Sequence, residues 1–208
     1  MTLVKVCGVC DAAAARAVAD AGADLVGFHF CSSLRRVRPE EVRAMVEALD
    51  RRPRLVGVFI DQPEEEVDQV AEFVGLDLVQ LHGSEPPGFR CRRPIVKALK
   101  VRGGAVPDTD DWPDPILLDS WSPDQRGGTG RTWDWETARA LAARRRVIFA
   151  GGLHPGNVGA VVRTFQPHGV DVSSGVERAV RSKDADLVLR FVQAVRDMDA
   201  AVERSGAR

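Results

Sequence analysis

No run of apolar residues approaches the roughly 20 needed to cross a bilayer. The opening Met1-Thr2-Leu3-Val4-Lys5 has no charged segment leading into an apolar one, so no targeting peptide is expected and the expected location is cytoplasmic. Neither sign of charge is in excess: 29 Lys and Arg stand against 30 Asp and Glu. Without a net field to recruit a polyanion or an anionic surface, neither nucleic acid nor a membrane is an expected partner. The four cysteines, at 7, 10, 31 and 91, are too few for a secreted disulfide scaffold in a chain of 208 residues. Cys7 and Cys10 form a C-x-x-C, but a structural zinc site wants a second close pair, and Cys31 and Cys91 stand alone; no metal is expected. No G-x-G-x-x-G follows the first strand-like run, which removes the main signal for a dinucleotide fold. There is also no internal repeat, low-complexity tract or linker, so residues 1–208 read as one domain.

What the chain does have is a recurring unit: a short apolar or β-branched run, a turn, then a segment of helical spacing. The runs are Leu3 to Cys7, Leu25 to Phe30, Leu55 to Ile60, Leu78 to His82, Ile95 to Leu99, Ile116 to Asp119, Val147 to Ala150 and Gly169 to Ser173. Eight parallel strands in this length predict an α/β fold, a single (β/α)₈ TIM barrel. Asp11 is placed to cap a helix over 12–21, Pro39 to open one over 39–49, Asp134 to cap 135–144 and Pro155 to open a helix bearing Val158, Val161, Val162 and Phe165. Val188, Phe191, Val192, Val195 and Val202 mark the apolar stripe of a last helix. Between strands five and six, Gly103, Gly104, Pro107, Pro113 and Pro115 predict an irregular crossover.

In such a barrel the reactive groups stand at the C-terminal ends of the strands. Gly151-Gly152 after strand seven and Ser173-Ser174-Gly175 after strand eight read either as tight turns or as a backbone cradle for phosphate, and their occurrence together favours the cradle. Cys7 and Asp119, at the ends of strands one and six, suit a thiolate base and a carboxylic acid. Taken singly, each has a plainer reading, as an inert buried thiol or a loop carboxylate. The chemistry needs the thiol pKa lowered and the carboxyl pKa raised, and Lys5, on the same strand face as Cys7, supplies positive charge toward the sulfur.

Val4-Lys5-Val6-Cys7-Gly8-Val9 resembles the Lys-x-Cys-Gly opening of phosphoribosylanthranilate isomerases. The likeness continues through Ser33-Leu34-Arg35-Arg36-Val37, Val56-Gly57-Val58-Phe59, Gln80-Leu81-His82-Gly83 and Val96-Lys97-Ala98. It extends to Leu117-Leu118-Asp119, Gly127-Gly128-Thr129-Gly130, Ala150-Gly151-Gly152-Leu153 and Gly169 to Glu177. The resemblance implies an Amadori rearrangement of phosphoribosylanthranilate in tryptophan biosynthesis, with Cys7 as general base, Asp119 as general acid and no cofactor. It implies that Arg35 meets the anthranilate carboxylate, that His82 and Asp171 are substrate-binding, and that Gly128 joins Gly151, Gly152, Ser174 and Gly175 at the phosphate. A monomer and a homodimer are both compatible with it.

Several positions depart from the family pattern: Cys10 replaces Thr or Arg, Leu34 Pro, Arg36 an aromatic and His154 Asn, and the loop after strand eight, with Val180 and Arg181, lacks Pro-Gly. These departures keep two alternatives open, a related aminoaldose-phosphate isomerase of another pathway and a non-catalytic sugar-phosphate binder. If Cys10 reaches Cys7, their oxidation to a disulfide would remove the base.

Overall fold

The computed structural model describes residues 1–102, 105–120 and 135–206. Its centre is a closed barrel of eight parallel strands in sequence order: β1 Leu3–Cys7, β2 Leu25–His29, β3 Arg54–Phe59, β4 Leu78–Leu81, β5 Ile95–Val101, β6 Ile116–Ser120, β7 Val147–Phe149 and β8 Gly169–Val172. The expected runs fall on these strands, with ends displaced by a residue or two. Side chains alternate between two environments along each strand. Val4, Val6, Val26, Phe28, Leu55, Phe59, Leu118 and Phe149 belong to the layer packed under the helices. The opposite face contributes a separate buried cluster of Leu25, Val56, Leu78, Val96, Ala98, Leu117, Ile148 and Ala150, which fills the barrel floor. The same alternation, carried up the strands, places Lys5, Gln80 and Asp171 above that floor and brings Cys7, His29, Asp119 and Ser173 to the C-terminal mouth.

Helix α1 (Ala12–Asp20) is capped by Asp11, whose side chain accepts the Ala14 N–H at 2.8 Å. Helix α2 (Pro39–Glu47) opens on its proline, and α3 (Glu64–Val74) ends on Gly75 in the left-handed conformation. The expected helix 135–144 is instead a 3₁₀ turn, Trp135–Ala138, followed by the short α4, Arg139–Ala142; its expected cap, Asp134, lies outside the described residues. Helix α5 (Val158–Phe165) starts three residues later than Pro155 suggests, because the Asn157 side chain accepts the His154 N–H at 2.8 Å and ties residues 154–157 into a turn. In α6 (Ala185–Gly206), Val188, Phe191, Val192 and Val195 are buried while Val202 is half-buried, so the stripe fades at its end.

Contrary to the expected repeating unit, the crossover from β4 to β5, residues 82–94, contains no helix. Pro86, Pro87 and Pro94 remove backbone donors there, and the buried Lys97–Glu85 ion pair at 2.6 Å secures the segment instead. Between β5 and β6 no helix occurs among the described residues. After β8 comes a 3₁₀ turn, Ser174–Val176, then an unexpected two-stranded hairpin, β9 (Glu177–Ala179) and β10 (Ser182–Lys183). Among the described residues no helix is long and apolar enough to cross a membrane.

Candidate active site

The floor of the site is set by strand register. Lys5 lies beside Asp171 across the β1–β8 seam, and its Nζ donates to Asp171 Oδ2 at 3.0 Å. Both side chains are buried, and Asp171 Oδ1 has no protein partner among the described residues. Burial pulls the Lys5 ammonium down, but Asp171 and Cys7 outweigh it and leave the group at about 12. For Asp171 the balance is reversed: burial pushes the carboxyl up, and Lys5 only partly offsets it.

Cys7 stands two residues above Lys5 on the same face, beside Gly27 of β2. A Cβ at position 27 would come 2.7 Å from the Cys7 sulfur and 3.2 Å from Lys5 Nζ, so the missing side chain lets both groups occupy one corner. Burial pushes the Cys7 thiol up, Lys5 and Lys183 pull it down and Asp171 pushes it up again. Lys5 thus acts on the thiol in the expected direction, but burial outweighs it and the net direction is upward, opposite to what a resting thiolate base needs. Cys7 Sγ also lies 3.3 Å from His29 Nε2, a neighbour the sequence reading missed. Period two from Leu25 through Gly27 to His29 was the available signal.

Across the mouth, Asp119 is the penultimate residue of β6, with Oδ1 accepting the Ser120 N–H at 2.8 Å and Oδ2 lying 3.5 Å from His82 Nε2. Gln80 Nε2 lies 3.1 Å from His82 Nδ1. With the amide nitrogen toward the ring, Nδ1 accepts and Nε2 carries the hydrogen that faces Asp119. Asp119 and His82 both act electrostatically on Asp171, so the β1, β4, β6 and β8 groups share one mouth.

Arg35, also buried, is gripped by Glu177, its Nε on Oε1 at 2.8 Å and one terminal nitrogen on Oε2 at 2.6 Å. Lys183 Nζ joins the same carboxylate at 2.9 Å and donates to the Ser173 carbonyl. Glu177 entered the sequence reading only as the end of a motif, and Lys183 did not enter it. Glu177 therefore orients the Arg35 guanidinium. Cys10 directs its thiol to the carbonyls of Gly8 and Arg35, both at 3.5 Å, and so joins β1 to the loop after β2, while Cys7 faces His29.

The glycine pairs are explained by close approach. A Cβ on Gly151 would lie 2.6 Å from the Ser120 backbone nitrogen, and one on Gly175 would lie 1.9 Å from the Leu153 carbonyl oxygen. These contacts bring the turn after β7 against the end of β6 and against the turn after β8, where Gly151, Gly152, Ser174 and Gly175 stand. The N–H groups of Gly151 and Gly152 have no acceptor among the described residues. Gly128 lies outside the described residues.

Residues 4–194 match the family model of N-(5'-phosphoribosyl)anthranilate isomerase. The chain belongs to that family. An N-(5'-phosphoribosyl)anthranilate isomerase from Pelobacter propionicus is 42% identical over 202 residues, covering 95% of this chain and 97% of the relative. The crystal structure of phosphoribosyl anthranilate isomerase from Thermus thermophilus superimposes with a TM-score of 0.85 at 36% identity, covering 95% of this chain and 100% of that one. A further phosphoribosyl anthranilate isomerase, solved in complex with reduced 1-(o-carboxyphenylamino)-1-deoxyribulose 5-phosphate, superimposes with a TM-score of 0.80 at 32% identity, covering 95% of this chain and 100% of that one. Those phosphoribosylanthranilate isomerases share the barrel whose mouth carries Cys7, His82, Asp119 and Asp171 here.

Proposed function

We propose that this chain converts N-(5'-phosphoribosyl)anthranilate to 1-(2-carboxyphenylamino)-1-deoxyribulose 5-phosphate in tryptophan biosynthesis, with Cys7 as base and Asp119 as acid. The observation that carries the reading is the thiol of β1, with Lys5 beneath it, sharing the barrel mouth with the His82–Asp119 pair. Asp119 protonates the ribose ring oxygen as the C1–O bond breaks, and the nitrogen lone pair forms a protonated Schiff base. The iminium makes the adjacent C2 proton acidic; Cys7 removes it, and the electron pair moves into the C–N system to give an enolamine. Proton return to C1 and loss of the C2 hydroxyl proton give the ketone. Lys5 keeps positive charge beside the sulfur through the step, as the Coulombic pull on Cys7 supports.

The Gly151-Gly152 and Ser174-Gly175 backbone provides the phosphate cradle. Arg35, oriented by Glu177, meets the anthranilate carboxylate, while the unpartnered Asp171 Oδ1 accepts the anthranilate N–H. The test is steady-state turnover of phosphoribosylanthranilate generated in situ, followed by loss of anthranilate-type fluorescence. Turnover is the expected result. Tight binding of a product analogue without turnover would replace this reading with a sugar-phosphate binder, and turnover confined to another aminoaldose phosphate would move the chain to a different pathway.

A further inference from the structure

His29 is a titratable group of the mouth that the mechanism above does not use. It ends β2, with Nε2 3.3 Å from Cys7 Sγ and Nδ1 2.9 Å from Ser33 Oγ. Ser33 Oγ in turn accepts the Arg35 N–H at 3.1 Å. A hydroxyl has one hydrogen to give. With the Arg35 N–H directed at its lone pairs, the Ser33 hydrogen has His29 Nδ1 as its acceptor among the described residues. When Nδ1 accepts that hydrogen, the ring hydrogen sits on Nε2, pointing at sulfur.

We propose that His29, held in this tautomer by Ser33, is a positioning residue that donates an Nε2–H hydrogen bond to the Cys7 sulfur and stabilises its thiolate. The inference rests on the reading of Cys7 as the base. The surroundings fit a donor that stays neutral. Burial holds the imidazole well below its ordinary range, and the Lys5, Arg35 and Lys183 charges around it act in the same direction. A neutral ring keeps its Nε2–H through the neutral pH range, so the hydrogen bond does not depend on His29 titrating. Lys5 and Lys183 also favour the charged sulfur, and Asp171 opposes them. Lys5 divides its donors between Asp171 and the Cys7 sulfur, and His29 offers the sulfur a further one. A hydrogen bond to an ionised acceptor is the stronger kind, so the donor favours thiolate over thiol.

The test is the pH dependence of Cys7 alkylation by iodoacetamide, with the modified sulfur located by peptide fragmentation. His29→Leu is expected to raise the Cys7 titration midpoint by about one pH unit, a tenfold change in the thiol equilibrium. The acidic limb of kcat should move up equally, with KM little changed. His29→Gln, whose amide N–H reaches a similar distance, should recover at least half of the displacement. An unmoved midpoint in His29→Leu overturns the proposal. A downward move does the same, because it would mean that the ring accepts from the thiol. If His29→Leu does not fold, Ser33→Ala and His29→Gln carry the test: Ser33→Ala, which releases the tautomer, should raise the midpoint by more than His29→Gln does, and no rise overturns the proposal. Alkylation reports the sulfur without turnover, so failure here is distinct from failure of Cys7 as the base, which Cys7→Ser kinetics read separately.

Discussion

Lys5 and Asp171, 166 residues apart in the chain, meet at 3.0 Å across the seam where the first strand of the barrel closes on the last. Removing one partner of such a buried pair strands the other charge. Lys5→Met should lower stability by about 3–5 kcal/mol in urea unfolding. Adding Asp171→Leu should recover part of that loss, because two apolar side chains then replace the pair. A double variant no more stable than Lys5→Met would show that the two groups are not coupled.

Cys7→Ser and Asp119→Asn are each expected to lower kcat by roughly 10² or more while leaving product-analogue affinity nearly intact, as acid–base groups do. His82→Gln tests positioning at the other end of the mouth. It loses the ring that lies between Gln80 and Asp119, so kcat should fall by roughly tenfold, less than in Asp119→Asn. A larger loss in His82→Gln than in Asp119→Asn would transfer the acid role to the imidazole.

The strands and the identity of their end residues were legible because period two and the apolar runs are local signals. Partnerships that exist only after the barrel closes were not. Arg35 finds Glu177 142 residues away, and no spacing rule joins them. His29 was hidden inside a run read as apolar from Leu25 to Phe30, where its inward register decides its role. The β9–β10 hairpin was missed because its turn has Arg181 at φ 74, where a glycine would have announced it. The glycines at 151 and 175 were visible, but the backbones they approach, Ser120 and Leu153, lie on other segments.

Gly27→Ala probes the corner that holds the base. The new methyl would sit 2.7 Å from Cys7 Sγ and 3.2 Å from Lys5 Nζ, too close for either to keep its place. Both kcat and the rate of Cys7 alkylation should change, kcat falling by about tenfold or more, whereas KM should shift less. Wild-type kcat in this variant would show that the sulfur's present position is not required.

The thiols make the fold sensitive to alkali. Burial raises Cys31 from 9.0 to about 11. An acid raised in the folded state contributes stability that is complete below its unfolded value and is lost as pH rises through the folded value. Stability should therefore decline between pH 9 and 11, with Cys31 accounting for roughly 1–2 kcal/mol of the loss. The chain contains no tyrosine, which removes the usual competing titration in this range. Urea unfolding of Cys31→Ala at pH 8 and pH 11, each compared with wild type, should show a smaller decline in the variant. Parallel declines would remove Cys31 as a contributor.

Arg181 bridges the hairpin to the loop that carries Arg35. One guanidinium nitrogen donates to the Leu34 carbonyl at 3.1 Å and the Arg36 carbonyl at 2.9 Å, bracketing Arg35 from both sides. The backbone at Arg181 is left-handed, a conformation that costs a residue with a Cβ about 1 kcal/mol. Two effects can then be separated. Arg181→Ala and Arg181→Gly both remove the bridge, so both should raise KM by about three- to tenfold with little change in kcat, since a loosened Arg35 weakens binding rather than chemistry. Stability should divide them: the glycine variant relieves the backbone and should unfold at higher urea than the alanine variant, by roughly 1 kcal/mol. Unchanged KM in both would mean that Glu177 alone orients Arg35, and a glycine variant weaker than alanine would contradict the strain at this turn.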